Sequence, residues 1–112
     1  MITDIYRAIA DPIRRHILLK IAQRECSQQE IVRDFAITQP AVKKHLSILE
    51  QEGLLIVRRQ GKYCYYRLNA PVFQQGYQQL QRELGLILED KLNRLKYFIE
   101  EEVGNGAGVH ER

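Results

Sequence analysis

The residues of this chain best suited to chemistry are hydrogen-bond donors and fixed cations, not nucleophiles. In TQPAVKKHLSILEQEG, Thr38 to Gly53, the side chains Thr38, Gln39, Pro40, Lys43, Lys44 and Ser47 gather toward the front of one short segment. Val42, Leu46 and Leu49 recur there at i, i+4 and i+7, which predicts a helix with an apolar stripe. Such a helix is held to a core by its stripe while its first turns offer donors and positive charge to an acidic polymer. Arg58, Arg59, Gln60 and Lys62 form a second group around Gly61. They suit contact with a phosphate or a minor groove; the alternative is charge that keeps a hairpin edge soluble.

Other chemistries find little footing. The sequence has no glycine-rich phosphate loop, nucleophile elbow or metal-binding histidine pair, so neither an enzyme nor a catalytic residue nor a cofactor is expected. His16, His45 and His110 fall on different predicted elements and make no ligand spacing, so no metal site is expected either. His45, beside the apolar stripe, suits packing or a phosphate contact. Cys26 stands just before a helix cap, where a thiol pKa can be lowered, and with Cys64 it could serve redox sensing. The alternative is a pair of ordinary buried or half-buried thiols.

The elements that must position these groups are readable in order. Ile2, Ile5, Tyr6 and Ile9 predict a short amphipathic helix ending near Ala10. Asp11-Pro12 restarts a helix, with Asp11 as cap and Pro12 at its first position. Ile13, Ile17, Leu18 and Ile21 face inward along it, while Arg14 and Arg15 near its start are either a phosphate clamp or a solvated face. Ser27 and Glu30 form a capping box, and Ile31, Val32 and Phe35 give the third helix its apolar side. Thr38 caps the next helix and Gly53 ends it. Two helices joined by a short turn make a helix-turn-helix, whose second helix enters a major groove. Leu54 to Arg59 and Tyr63 to Leu68 then predict two strands joined at Gln60-Gly61-Lys62, so that a hairpin wing follows the helix-turn-helix.

From about residue 70 to 103 a long helix is expected, bent or interrupted at Gly76 and Gly85. Tyr77, Leu80, Leu84, Leu88, Leu92, Leu95 and Ile99 draw an apolar stripe along it. Some 30 residues span about 45 Å, longer than a domain of this size can cover, so part of the stripe is expected to pack against a second copy with the first helix as its companion. The fold class is thus mainly α with a small β-hairpin: one winged helix-turn-helix domain over 1–103, dimerising through its first and last helices. The glycine-rich tail 104–112 is expected to be disordered.

Charge is distributed to match. The 112 residues carry a net charge of +3. Residues 1–68 hold twelve Lys and Arg against seven Asp and Glu, whereas residues 69–112 hold five against seven. A basic front and an acidic rear are expected where one region meets nucleic acid. With no signal-like start and no apolar run near the roughly 18 residues of a membrane span, a cytoplasmic protein with reduced thiols and no membrane partner is expected.

The segments ADPIRRHIL (Ala10 to Leu18), TQPAVKKHLSILEQEGLL (Thr38 to Leu55) and RRQGKYCYYRL (Arg58 to Leu68) resemble the ArsR/SmtB-type dimeric winged-helix repressors of bacteria, over roughly residues 3–70. The resemblance implies operator binding as a homodimer. It places base contacts at Gln39, Pro40, Lys43 and Lys44, with lysines where many members have small residues. It also implies where metal sensors keep their ligands, and this chain departs there. The Cys-x-Cys of arsenic-type sensors falls at Gln28 and Glu30, and the zinc-type site on the last helix finds no histidine between Pro71 and Val103. A homodimeric repressor reading an inverted repeat in double-stranded DNA is therefore expected, with its effector unknown. The alternatives are a redox- or ligand-gated sensor using Cys26 and Cys64, or a winged helix used only for protein association.

Overall fold

The computed structural model describes residues 4–103, which fall into two compact units divided between Gln78 and Gln79. The expectations for Ile2 and for the tail 104–112 lie outside the described residues.

In the first unit, caps written into the sequence set most helix boundaries. Asp4 accepts from the Arg7 N–H and starts α1 (Ile5–Ile9). The Asp11 carboxylate accepts from the N–H groups of Ile13 at 2.7 Å and Arg14 at 3.4 Å and starts α2 (Pro12–Gln23). A short strand β1 (Cys26–Ser27) leads into α3 (Gln28–Arg33). There the Glu30 N–H donates to Ser27 Oγ at 3.1 Å and the Ser27 N–H donates back to Glu30 Oε1 at 2.8 Å, which completes the capping box. Thr38 caps α4 (Gln39–Gln51) through the Ala41 N–H. Gly53, at φ 76°, ends it as the Gly53 N–H bonds the Glu50 carbonyl and the Leu54 N–H bonds the Leu49 carbonyl. That double closure requires a left-handed residue where glycine stands.

The sheet is larger than the sequence suggested. β2 (Leu55–Gln60) and β3 (Tyr63–Leu68) pair antiparallel, with Gln60 opposite Tyr63, so the turn is the two residues Gly61-Lys62 and not three. β1 adds to the other edge of β3, with Cys26 opposite Tyr66, and gives the order β1-β3-β2. Two residues are too few to show an alternation, which is why this strand was not legible. The core beneath it joins Ile17, Ile21, Ile31, Val42, Leu46, Leu49, Leu54 and Tyr66.

α5 (Ala70–Val103) is one continuous helix, interrupted at neither Gly76 nor Gly85. A Cβ on Gly76 would stand 2.9 Å from Ile5 Cδ1 and 3.0 Å from Ile5 Cβ, so this glycine permits the close approach of α1. Ile5 is 1% exposed and spent in that contact, which corrects its expected place on a dimer surface. The second unit begins along α5 at Gln79, and in it Leu84, Leu88, Leu92, Leu95 and Ile99 are about half exposed. Among the described residues no helix is long and apolar enough to cross a membrane, and no group of His, Cys, Asp and Glu could hold a metal ion.

Candidate nucleic-acid interface

The burial of α4 divides it as its sequence does. Val42, Leu46 and Leu49 are buried, while Thr38, Gln39, Pro40, Lys43, Lys44 and Ser47 are all exposed. Pro40 sits in the first turn, where a missing N–H leaves no helical bond unmade. A Lys20–Asp34 ion pair of 2.8 Å joins α2 to the end of α3, and the Tyr66 hydroxyl donates to Gln28 Oε1 at 3.2 Å, so α2 holds the end of α3 and the sheet holds its start.

The hairpin stands beside the start of α4. A hollow of about 140 Å3 is lined by Gln28, Gln29 and Gln39 from the helices and by Lys62, Tyr63 and Cys64 from the wing. Gln39 and Lys62, far apart in sequence, thus border one concave surface. Arg59, Gln60 and Lys62 are exposed, with Lys62 Nζ 5.7 Å over the Tyr63 ring and Arg59 Nη1 3.9 Å from Cys64 Sγ.

Arg58 differs from the expectation of a loose charge at the wing tip. Its Nη2 donates to Glu25 Oε1 at 2.8 Å, its Nε to Glu25 Oε2 at 3.3 Å and its Nη1 to Gln60 Oε1 at 2.6 Å. Its guanidinium lies 4.4 Å from the centre of the Tyr65 ring, and Arg58 holds the Glu25 carboxyl below the usual range. The cause is register: Arg58 and Tyr65 are directly opposed on β2 and β3.

Arg14 is a second correction. It is neither a clamp nor solvated but only 9% exposed. Its Nε donates to the Ala8 carbonyl at 3.0 Å, its Nη2 to the Arg7 carbonyl at 2.8 Å, and its Nη1 meets His45 Nδ1 on α4 at 3.0 Å. His45 therefore packs and bonds on the inner side of α4. Arg7 pairs with Glu52 at 2.8 Å, so α1 is tied to the end of α4 as well as to its middle. Arg15 is exposed and donates to the Ile9 carbonyl.

The cysteines separate. Cys26 is 1% exposed and donates to the Arg24 carbonyl at 3.4 Å, and burial pushes its thiol pKa up, opposite to the lowering its place before a cap suggested. Cys64 is half-buried, and both are free thiols. Sequence reasoning missed Glu25 and Glu52 as partners. Glu25 stands two residues before a capping serine, where its acidity carries no sign of a partner 33 residues away.

A capped helix-turn-helix, an exposed polar face on its second helix and a basic wing beside that face define a winged-helix DNA-binding module. The chain belongs to the ArsR family of bacterial regulatory proteins, whose family model ("Bacterial regulatory protein, arsR family") matches residues 11–57. It is 35% identical over 71 residues to the transcriptional repressor SdpR of Bacillus subtilis, a match covering 63% of this chain and 79% of that one. It is 34% identical over 69 residues to the arsenic resistance transcriptional regulator ArsR1 of Pseudomonas putida, covering 61% of this chain but only 54% of the relative. A crystal structure of a possible transcriptional regulator for arsenical resistance superposes with a TM-score of 0.68 at 25% identity, over 80% of this chain and 97% of the other.

Proposed function

We propose that this ArsR-family transcriptional repressor binds double-stranded operator DNA as a homodimer at an imperfect inverted repeat. The observation that carries the reading is the exposed face of α4, whose first residue Gln39 shares a concave surface with Lys62 of the wing. Gln39 brings an amide able to pair with a base edge. Lys43 and Lys44 bring charge for guanine or phosphate, with Thr38, Pro40 and Ser47 bordering them. Arg59, Gln60 and Lys62 reach a neighbouring phosphate or minor groove. Two copies set two α4 helices in major grooves about one helical turn apart, or a multiple of it.

The dimer surface in this reading is the apolar face of α5. Leu84, Leu88, Leu92, Leu95 and Ile99 expose about half their surface each, a continuous stripe of the kind that marks an interaction site. Leu80 extends it, and Tyr6 and Ile9 of α1 are its proposed companions. The protein acts in the cytoplasm. No metal effector is assigned, because Gln28 accepts from Tyr66 while Glu30 is engaged by Ser27 and Arg24. The burial of Cys26 also speaks against a thiol switch.

Retardation of duplex fragments at moderate salt tests the proposal. Lys44→Ala is expected to weaken binding and to reduce the magnitude of the slope of log K against log salt by about 1.8, since each of the two protomers releases one fewer counterion. An unchanged slope removes Lys44 from the contact set. Absence of any specific shift by the wild-type chain leaves a module for protein association.

A further inference from the structure

The side chain of Arg58 crosses the whole sheet. It leaves β2, lies on Tyr65 of the middle strand β3 and reaches Glu25, the residue just before β1 on the far edge. The fork closes on both carboxylate oxygens, at 2.8 and 3.3 Å, and Gln60 takes a third bond at 2.6 Å. One face and three N–H directions of the guanidinium are thereby occupied. Glu25 is followed directly by β1 and by the Ser27 cap of α3, which belongs to the helix-turn-helix. The Arg58–Glu25 fork thus joins the wing to the segment from which the helix-turn-helix begins.

We propose that Arg58 is a positioning residue and not a phosphate contact: through Glu25 it sets the hairpin at the angle that brings Arg59 and Lys62 to DNA. This rests on the DNA-binding reading above and assigns Glu25 a part that its charge opposes. Removing a carboxylate near the wing ought by long-range attraction alone to tighten binding to phosphate. If the carboxylate fixes the wing, removing it weakens binding.

The test measures retardation of one selected duplex by the full chain, with melting temperature and oligomeric state recorded for each variant. Glu25→Gln is expected to weaken binding about threefold, the scale of a partly exposed ion pair. Arg58→Lys keeps the cation but not the planar fork and is expected to lose as much. The double variant Glu25→Gln with Arg58→Gln should be no weaker than Arg58→Gln alone, because the coupled unit is already broken. Tighter binding by Glu25→Gln overturns the proposal, as does full affinity in Arg58→Lys. In both cases the DNA-binding reading stands, whereas a wild-type chain that retards no duplex removes that reading and this proposal together.

Discussion

Arg14 Nη1 lies 3.0 Å from His45 Nδ1, so an arginine of α2 that is only 9% exposed rests directly on α4. Arginine cannot accept, which makes Nδ1 the bare nitrogen and puts the imidazole proton on Nε2, the atom 4.0 Å from Asp11 Oδ1. Two more bonds from Arg14 run to α1, at the Arg7 and Ala8 carbonyls. α4 is therefore set relative to α1, a helix of the proposed dimer surface, by one buried cation.

His45→Leu takes away the acceptor and leaves a buried donor unpaired, a loss expected to cost about 1–3 kcal/mol. His45→Asn offers an amide oxygen near the place of Nδ1 and should recover most of that loss. Chemical denaturation of both variants checks this, alongside their DNA affinity. Equal losses in the two would mean that shape, not the hydrogen bond, is what matters at this position.

Two glycines of α5 should respond in opposite directions. A methyl at Gly76 meets Ile5 Cβ at 3.0 Å, an atom fixed by the α1 backbone, whereas Gly85 has nothing within 4 Å. Gly85→Ala is expected to stabilise by up to about 1 kcal/mol through helix propensity. Gly76→Ala makes the same gain but crowds the contact by more, so a net loss of about 1 kcal/mol is expected. Thermal melts decide the matter, and a rise for Gly76→Ala would contradict the close packing of α1 on α5.

The capping box carries a pH signature. The Arg24 guanidinium beside Glu30, together with the Ser27 N–H, lowers the carboxyl pKa from 4.5 to about 2. Because the folded value lies below the unfolded one, the stabilisation is fully present above pH 4.5 and is lost as pH falls toward 2. Glu30→Gln should lack this part of the acid sensitivity. Denaturation of both proteins at pH 6 and pH 3 should show the gap between them narrowing at the lower value; a constant gap would remove Glu30 from the acid response.

Local features were legible in the sequence because each answers a backbone need within a few residues. Asp11, Ser27, Thr38 and Gly53 are of that kind, as is the α4 stripe of Val42, Leu46 and Leu49. The parts that escaped depend on distant partners. Arg14 looked like any arginine in an exposed first turn, yet its bond to His45 spans 31 positions, and that of Arg58 to Glu25 spans 33. Gly76 reads as a weak point in a helix until Ile5 is seen against it. The polar face of α4 was legible as a set of exposed side chains, but the neighbourhood of Gln39 with Lys62 required the fold.

Selection of bound duplexes from a random pool, followed by sequencing, tests the central claim most directly. A homodimer reading DNA through α4 enriches an imperfect inverted repeat whose half-site centres lie about one helical turn apart or a multiple of it. Recovery of unrepeated sites, or no enrichment at moderate salt, would contradict it.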